Sequence, residues 1–255
     1  MRLKREIGTR MKVMTQRALS VLRRPRVVSR ETMEAVIHSA SSRDAVERFV
    51  LLWYNTIGRD GVRFLGQQTL KNPFDLWMYQ EILYEKKPDV VIETGTHRGG
   101  SALYLAKIAA AMGHVLDVIT IDFNPKLGFD AGQNRIHPVA AISTTAAATA
   151  EVRRILDEAA RRLGRPPQVM VILDSDHSKA NVLAELETYG PMVTAGQYLV
   201  VEDTNINGRP ILPEHGPGPA EALEEYLPGH PEFTIDRSCE RYMLTSNPGG
   251  WLRRQ

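Results

Sequence analysis

Four short apolar runs in this 255-residue chain each finish on an acid: residues 90–93 on Glu93, 118–122 on Asp122, 169–174 on Asp174, and 198–203 on the pair Glu202 and Asp203. Stretches of helical composition at 101–111, 145–163 and 179–189 separate them, with Gly113, Gly164 and Gly190 where helices commonly stop. β-branched runs that alternate with helices build a parallel sheet, because each crossover helix lets the next strand start in the same direction. The predicted fold class is α/β, a Rossmann-like doubly wound and mostly parallel sheet, with a weaker strand at 136–140 and an antiparallel C-terminal pair from 233–235 and 242–245. Strand carboxyl ends of such a sheet line one rim, where ligands bind. The acids are therefore expected to meet there.

Ahead of the sheet, residues 30–57 read as helical, 58–73 as a loop and 75–85 as a helix. Residues 1–64 are expected to form a basic helical N-terminal extension and 65–255 the main domain. Residues 1–30 hold ten Lys or Arg against the single acid Glu6, a local charge of +9, so the remainder carries −7 within an overall +2. Leu3, Ile7, Met11, Met14, Ala18 and Val21 recur at three- and four-residue steps, which predicts an amphipathic helix. Such a helix offers its basic face to anionic lipid as a peripheral membrane contact or to a partner subunit, or simply packs its apolar stripe on the domain. A lone cysteine, Cys239, excludes an internal disulfide framework and a cysteine-based zinc cluster, and a cytoplasmic location is expected. No apolar run reaches the ~18 residues of a membrane span.

The segment Glu93-Thr94-Gly95-Thr96-His97-Arg98-Gly99-Gly100-Ser101 joins a strand to a helix start through a glycine-rich turn. Glycines let a ligand approach the backbone, and the helix N-terminus offers unpaired N–H groups to an anion. Asp122, at the end of the next strand, can accept both ribose hydroxyls of an adenosine cofactor. The turn is neither G-x-G-x-x-G nor a G-x-x-x-x-G-K-S/T phosphate loop, and its E-x-G-x-x-x-G-G form favours S-adenosylmethionine. Cofactor contacts are expected at Glu93, Gly95, Thr96, Ser101 and Asp122.

Carboxylates gathered at neighbouring strand ends repel one another and lose solvation, a cost that a bound cation removes. An all-oxygen donor set suits a hard ion such as Mg²⁺ or Mn²⁺. Asp174, Glu202 and Asp203 are the expected ligands; Asp176 either joins them or caps the following helix. His177, three residues beyond Asp174, has the titration range of a general base for an acceptor hydroxyl, while the metal and Asp174 orient that hydroxyl toward the transferring methyl. His97 and His215 are weaker candidates for ligand contact.

The motifs Asn72-Pro73-Phe74-Asp75-Leu76-Trp77, the 93–101 loop, 173–177, 201–204 and Ser246-Asn247-Pro248-Gly249-Gly250-Trp251-Leu252 resemble those of the cephalosporin hydroxylase and rhamnosyl O-methyltransferase family, over most of residues 65–255. That family includes macrolide-sugar and mycobacterial sugar O-methyltransferases. The resemblance implies a class I methyltransferase fold and S-adenosylmethionine at Glu93, Gly95, Ser101 and Asp122. It further implies Mg²⁺ at Asp174, Glu202 and Asp203, a base at His177, a saccharide or glycoside acceptor, and homo-oligomers with the N-terminal segment in the interface. Family members differ in acceptor, so Trp53, Tyr54, Gln67, Trp77 and Arg209 stand only as aromatic or polar candidates for a sugar face, and 205–219 as a candidate lid. An antibiotic-ring hydroxylase component and a non-catalytic cofactor-fold binding protein are the competing readings. Nucleic acid is not an expected partner, because the chain beyond its basic start is acidic and lacks a base-pocket motif.

Overall fold

A computed structural model describes residues 39–58 and 61–255 of the chain. The basic amphipathic helix expected within residues 1–30 lies outside the described residues, as do residues 30–38 of the expected 30–57 helix. The described part of that helix is α1 (Ala40–Trp53), which ends in a wider turn at Tyr54–Gly58. The segment read as a loop holds a small antiparallel hairpin, β1 (Arg63–Phe64) and β2 (Gln67–Gln68), joined at Leu65-Gly66. Next, α2 (Pro73–Lys86) starts where the side chain of Asn72 accepts the Phe74 N–H at 3.0 Å and Pro73 supplies a pre-set first helical residue.

The main sheet contains β3 (Val90–Thr94), β4 (Asp117–Asp122), β5 (Ile136–Ala140), β6 (Val169–Leu173), β7 (Tyr198–Val201), β8 (Phe233–Ile235) and β9 (Trp251–Arg254). Its order is β5-β4-β3-β6-β7-β9-β8, and β3 to β7 run parallel. Successive residues of a strand face opposite sides, so Val90 and Ile92 enter one core layer and Val91 the other. The first layer receives α4 (Ala146–Leu163), α5 (Lys179–Tyr189) and α6 (Pro219–Tyr226); the second receives α2 and α3 (Gly100–Ala111). Helices on both faces make the sheet doubly wound, as expected. Residues 46–255 form one compact unit. No described helix is long and apolar enough to cross a membrane.

One strand expectation needs correcting. Phe233–Ile235 pairs with Trp251–Arg254, not with 242–245, and β9 inserts antiparallel between β7 and β8. Residues 242–245 are held instead by side chains: Tyr242 donates to Glu81, and Thr245 Oγ1 accepts the Trp251 indole N–H at 3.4 Å. A β-carbon on Gly250 would stand 2.1 Å from the Val201 carbonyl oxygen, so only glycine lets the chain enter the sheet beside β7.

Chain order runs from β3 outward through β4 to β5, then returns to β6 on the other side of β3. This reversal places a topological switch point between β3 and β6, the position where open α/β sheets hold ligands. Register brings the acids level, since Thr94 pairs with Leu173 and Leu173 with Val201, so Asp174 and Glu202 follow paired residues.

At the amino end of the strands, buried Asp117 accepts from Arg135 at 2.7 Å and from Arg162, with His137 Nε2 at 3.0 Å. Burial raises its pKa, but the His137 and Arg135 hydrogen bonds and the arginine charges prevail and hold it below the usual carboxylate range. A depressed folded-state pKa stabilises the fold above the unfolded value of ~3.9, a gain lost as pH falls through the folded value. Asp117→Asn is expected to cost about 2 kcal/mol, because the arginines are half-exposed, and so to lower Tm by about 4–8 °C at neutral pH. Thermal melts across pH check this; the gap between the two proteins should close below pH ~4.

Candidate active site

A cavity of ≈ 580 Å³ opens on the rim above the switch point, and Gly95, Thr96, Ser101 and Asp122 line one part of it. Gly95 has φ +87°, and a β-carbon there would meet the Asp174 carbonyl oxygen at 1.8 Å, so glycine alone lets the β3 and β6 ends close together. Asp122 accepts the His97 and Asn124 backbone N–H groups at 2.9 and 2.8 Å, which fixes its carboxylate at the cavity wall. Thr96 Oγ1 lies 2.8 Å from Thr120 Oγ1. Beyond Asp122, the side chains of Phe123 and Ile142 are 78% and 59% exposed on the cavity wall, an apolar pair suited to a flat ring.

Glu93 stands behind this wall rather than on it. It is fully buried and accepts from Thr120 Oγ1 at 2.9 Å. Burial, opposed by the Lys71 charge, pushes its carboxyl up to about 7. Its Oε1 is buried without a hydrogen-bond partner, an acceptor still to be satisfied.

Asp174 after β6 and Asp203 after β7 line the other part of the cavity, with Glu202 buried beside them, and a cation of the chain already sits among the three. Lys71 Nζ lies 2.6 Å from Asp174 Oδ2 and 2.7 Å from Glu202 Oε1, and Tyr79 donates its hydroxyl to Glu202. Desolvation raises the pKa of Asp174, Glu202 and Asp203, while Lys71 pulls the first two back and His177 pulls Asp203 back. His177 Nε2 lies 3.2 Å from Asp203 Oδ2 and 3.8 Å from Asp174 Oδ1. Burial disfavours its charged form, yet Asp203, Asp174 and Glu202 outweigh this and raise its pKa. Among the described residues, Asp174, His177 and Asp203 bring donor atoms within 4.8 Å of one another, close enough to share an ion. Glu202 is adjacent but engaged by Lys71 and Tyr79.

The remaining candidates separate cleanly. Asp176 Oδ1 accepts the Ser178 N–H at 2.8 Å in the turn before α5, whose cap is Ser178 itself, its Oγ accepting the Asn181 N–H at 3.4 Å. His97 contributes its backbone to Asp122, and the ring of exposed His215 hydrogen-bonds the adjacent Gly216 carbonyl. Arg209 is tied to Glu221 and Glu224 of α6, which fastens the 205–219 loop to that helix. Exposed Trp77 bonds Glu81, and Gln67 lies on β2. Trp53 and Tyr54 line a second cavity that shares Leu70, Lys71 and Asp203 with the first.

Three residues at the site escaped the sequence reading. Lys71 and Tyr79 meet their acids across 103 and 123 residues of chain, a contact no local pattern encodes. Buried Glu185 of α5 accepts from Ser143, from Ser175 Oγ at 2.6 Å and from Thr94 Oγ1 at 3.2 Å, bracing two cavity-wall serines. An acid sharing the inward face of α5 with Val182, Leu186 and Tyr189 was the available signal.

The profile of the family described as Rhamnosyl O-methyltransferase/CmcI matches residues 58–255. The chain belongs to this family. The rhamnosyl O-methyltransferase/CmcI assignment is supported by a rhamnosyl O-methyltransferase of Mycobacterium bovis (strain BCG / Pasteur 1173P2), 40% identical over 217 residues that cover 83% of this chain and 86% of that protein. The Mycobacterium leprae (strain TN) rhamnosyl O-methyltransferase is 38% identical over 213 residues, 82% and 90% of the two chains. A solved Mg-SAM form of CmcI superposes with a TM-score of 0.58 at 20% identity, covering 80% of this chain and 84% of that one. The CmcI apo form gives the same score at 18% identity over 91% and 86%. The CmcI structures thus share with this chain the doubly wound fold expected from the strand pattern and the class I methyltransferase form of it that the family resemblance implied.

Proposed function

We propose that this protein transfers the methyl group of S-adenosylmethionine to a hydroxyl of a saccharide or glycoside, of rhamnose or mannose type, with Mg²⁺ or Mn²⁺ assisting and His177 as the general base. The observation that carries this reading is the single rim on which the Gly95–Asp122 cavity adjoins the Asp174, His177 and Asp203 cluster, in a chain 40% identical to a rhamnosyl O-methyltransferase.

The cavity suits the cofactor. Asp122 would accept the ribose hydroxyls, Phe123 and Ile142 would flank the adenine, and Glu93, buried behind Thr96 and Ser101, would brace the turn that meets the amino-acid end. The acid cluster likewise suits a hard cation. Asp174, Glu202 and Asp203 would hold it, and when bound it would polarise the acceptor hydroxyl and fix its direction. Lys71 already gives one positive charge to the edge between Asp174 and Glu202, which leaves the Asp203 side as the more anionic.

Chemically, the acceptor oxygen forms a bond to the methyl carbon as the carbon–sulfur bond breaks, giving the methyl ether and S-adenosylhomocysteine. The hydroxyl proton passes to the His177 imidazole, and the carboxylates of Asp203 and Asp174 stabilise the imidazolium as it forms. No oxidant or reductant is needed.

Residues 65–255 are proposed as the catalytic domain and 1–64 as its extension, with homo-oligomers and a lipid contact through residues 1–30 as further parts of the reading. Calorimetric titration with S-adenosylmethionine tests the cofactor assignment. Binding should be saturable and weakened roughly tenfold or more in Asp122→Ala, which removes a charge-assisted acceptor; unchanged affinity in that variant would remove Asp122 from the site.

A further inference from the structure

The second cavity, ≈ 220 Å³, is bordered by Leu70, Lys71 and Asp203, which also line the cofactor cavity, so the two are neighbours across that shared wall. Its remaining lining is of two kinds. Trp53 and Tyr54, from the end of α1 and the turn after it, give an aromatic surface; Asn72, Asn205 and Ser246 give polar groups. The cavity is smaller than the ~300–1,000 Å³ of sites for drug-sized ligands, a scale for one ring rather than several.

One residue of its lining carries an unpaired polar atom. Asn205 is only 4% exposed, and its Oδ1 has no hydrogen-bond partner. A buried carbonyl oxygen left unpaired is costly, and a ligand hydroxyl that donates to it recovers that cost. The backbone around Asn205 is fixed, since its N–H donates to the Ser246 carbonyl at 3.3 Å and its own carbonyl accepts the Ile211 N–H at 3.2 Å. The residue's place beside the cavity is therefore fixed. An aromatic surface facing amide and hydroxyl groups matches a pyranose, which presents C–H faces to rings and hydroxyls to amides.

We propose that this cavity is the acceptor subsite, holding one sugar ring against Trp53 and Tyr54, with a ring hydroxyl donating to Asn205 Oδ1 and a neighbouring hydroxyl directed past Lys71 and Asp203 toward the methyl donor. The proposal rests on the methyl-transfer reading of the adjoining cavity. It assigns sugar selection to the end of α1 and the segment after β7, apart from the residues that hold the cofactor.

The test measures methyl transfer to methyl α-rhamnoside and S-adenosylmethionine affinity in Asn205→Ala, Trp53→Ala and Trp53→Phe. Asn205→Ala and Trp53→Ala are expected to raise KM for the rhamnoside roughly tenfold, the scale of one hydrogen bond or one ring contact, with a smaller change in kcat. Trp53→Phe, which keeps a ring, should restore most of the loss, and cofactor affinity, unchanged in all three, shows that the variants are folded. Wild-type KM in both alanine variants would overturn the subsite. If the wild-type protein methylates no saccharide, the activity reading fails separately, and saturation-transfer NMR with methyl α-rhamnoside decides the subsite: binding lost in Trp53→Ala supports it, and no binding to the wild type overturns it.

Discussion

Asp174→Ala is expected to lower methyl transfer by about three orders of magnitude or more, while S-adenosylmethionine binding stays measurable. The Asp174 carboxylate contacts Lys71 at 2.6 Å and clusters with His177 and Asp203, and its backbone N–H donates to the Thr94 carbonyl at 3.1 Å. The substitution leaves that backbone bond and the Lys71–Glu202 pair at 2.7 Å in place, so the rim should stay folded. On the proposed assignment, what it removes is a donor for the cation. A cation supplies several kcal/mol of charge stabilisation, and each ~1.4 kcal/mol is tenfold in rate, which sets the size of the effect. Initial rates with labelled cofactor, with and without chelator, check it: residual activity in the variant should no longer respond to chelator. Wild-type rates would take Asp174 out of the machinery.

His177→Ala is expected to reduce kcat by roughly two to four orders of magnitude, the usual contribution of a placed general base. The geometry behind this is the Nε2 position, 3.2 Å from Asp203 and beside the cavity. A proton acceptor works only when neutral, so the wild-type rate should rise with pH as the imidazole deprotonates, and the variant should lose that limb of the profile. A histidine that served only to pair with Asp203 would change the rate less than threefold and leave the pH profile intact, which separates the two roles.

The acids and the sheet were legible because both depend on short-range pattern. A run such as 169–173 is buried on both faces, so it is apolar throughout, and the first polar residue after it marks the rim. The glycine-rich turn was legible for a related reason, since the closeness of Gly95 to the Asp174 carbonyl admits no side chain.

Other parts were not legible, for different physical reasons. Residues 242–245 have strand-like composition, yet Tyr242 is claimed by Glu81, and Asp75 accepts the Ser246 N–H at 2.8 Å; tertiary hydrogen bonds override a weak β preference. The helix at Pro219–Tyr226 lay at the edge of a glycine- and proline-rich loop, although Pro219 at its first turn and Glu221, which accepts the Gly218 N–H at 2.8 Å, are start signals in retrospect. Lys71 is the largest omission. The expected cluster of bare carboxylates instead encloses an ammonium, drawn from a loop 103 residues earlier, so part of the charge attributed to a metal is balanced by the chain itself. Glu202 accordingly stands closer to Lys71 and Tyr79 than to the Asp174, His177 and Asp203 group.

The most direct test of the central claim is transfer of a labelled methyl group from S-adenosylmethionine to a rhamnose-type glycoside by the full chain, run with Mg²⁺ and with chelator. The account requires label in an ether on the sugar, with the rate collapsing when chelator is present. Saturable cofactor binding with no label in any saccharide, under either condition, would contradict it.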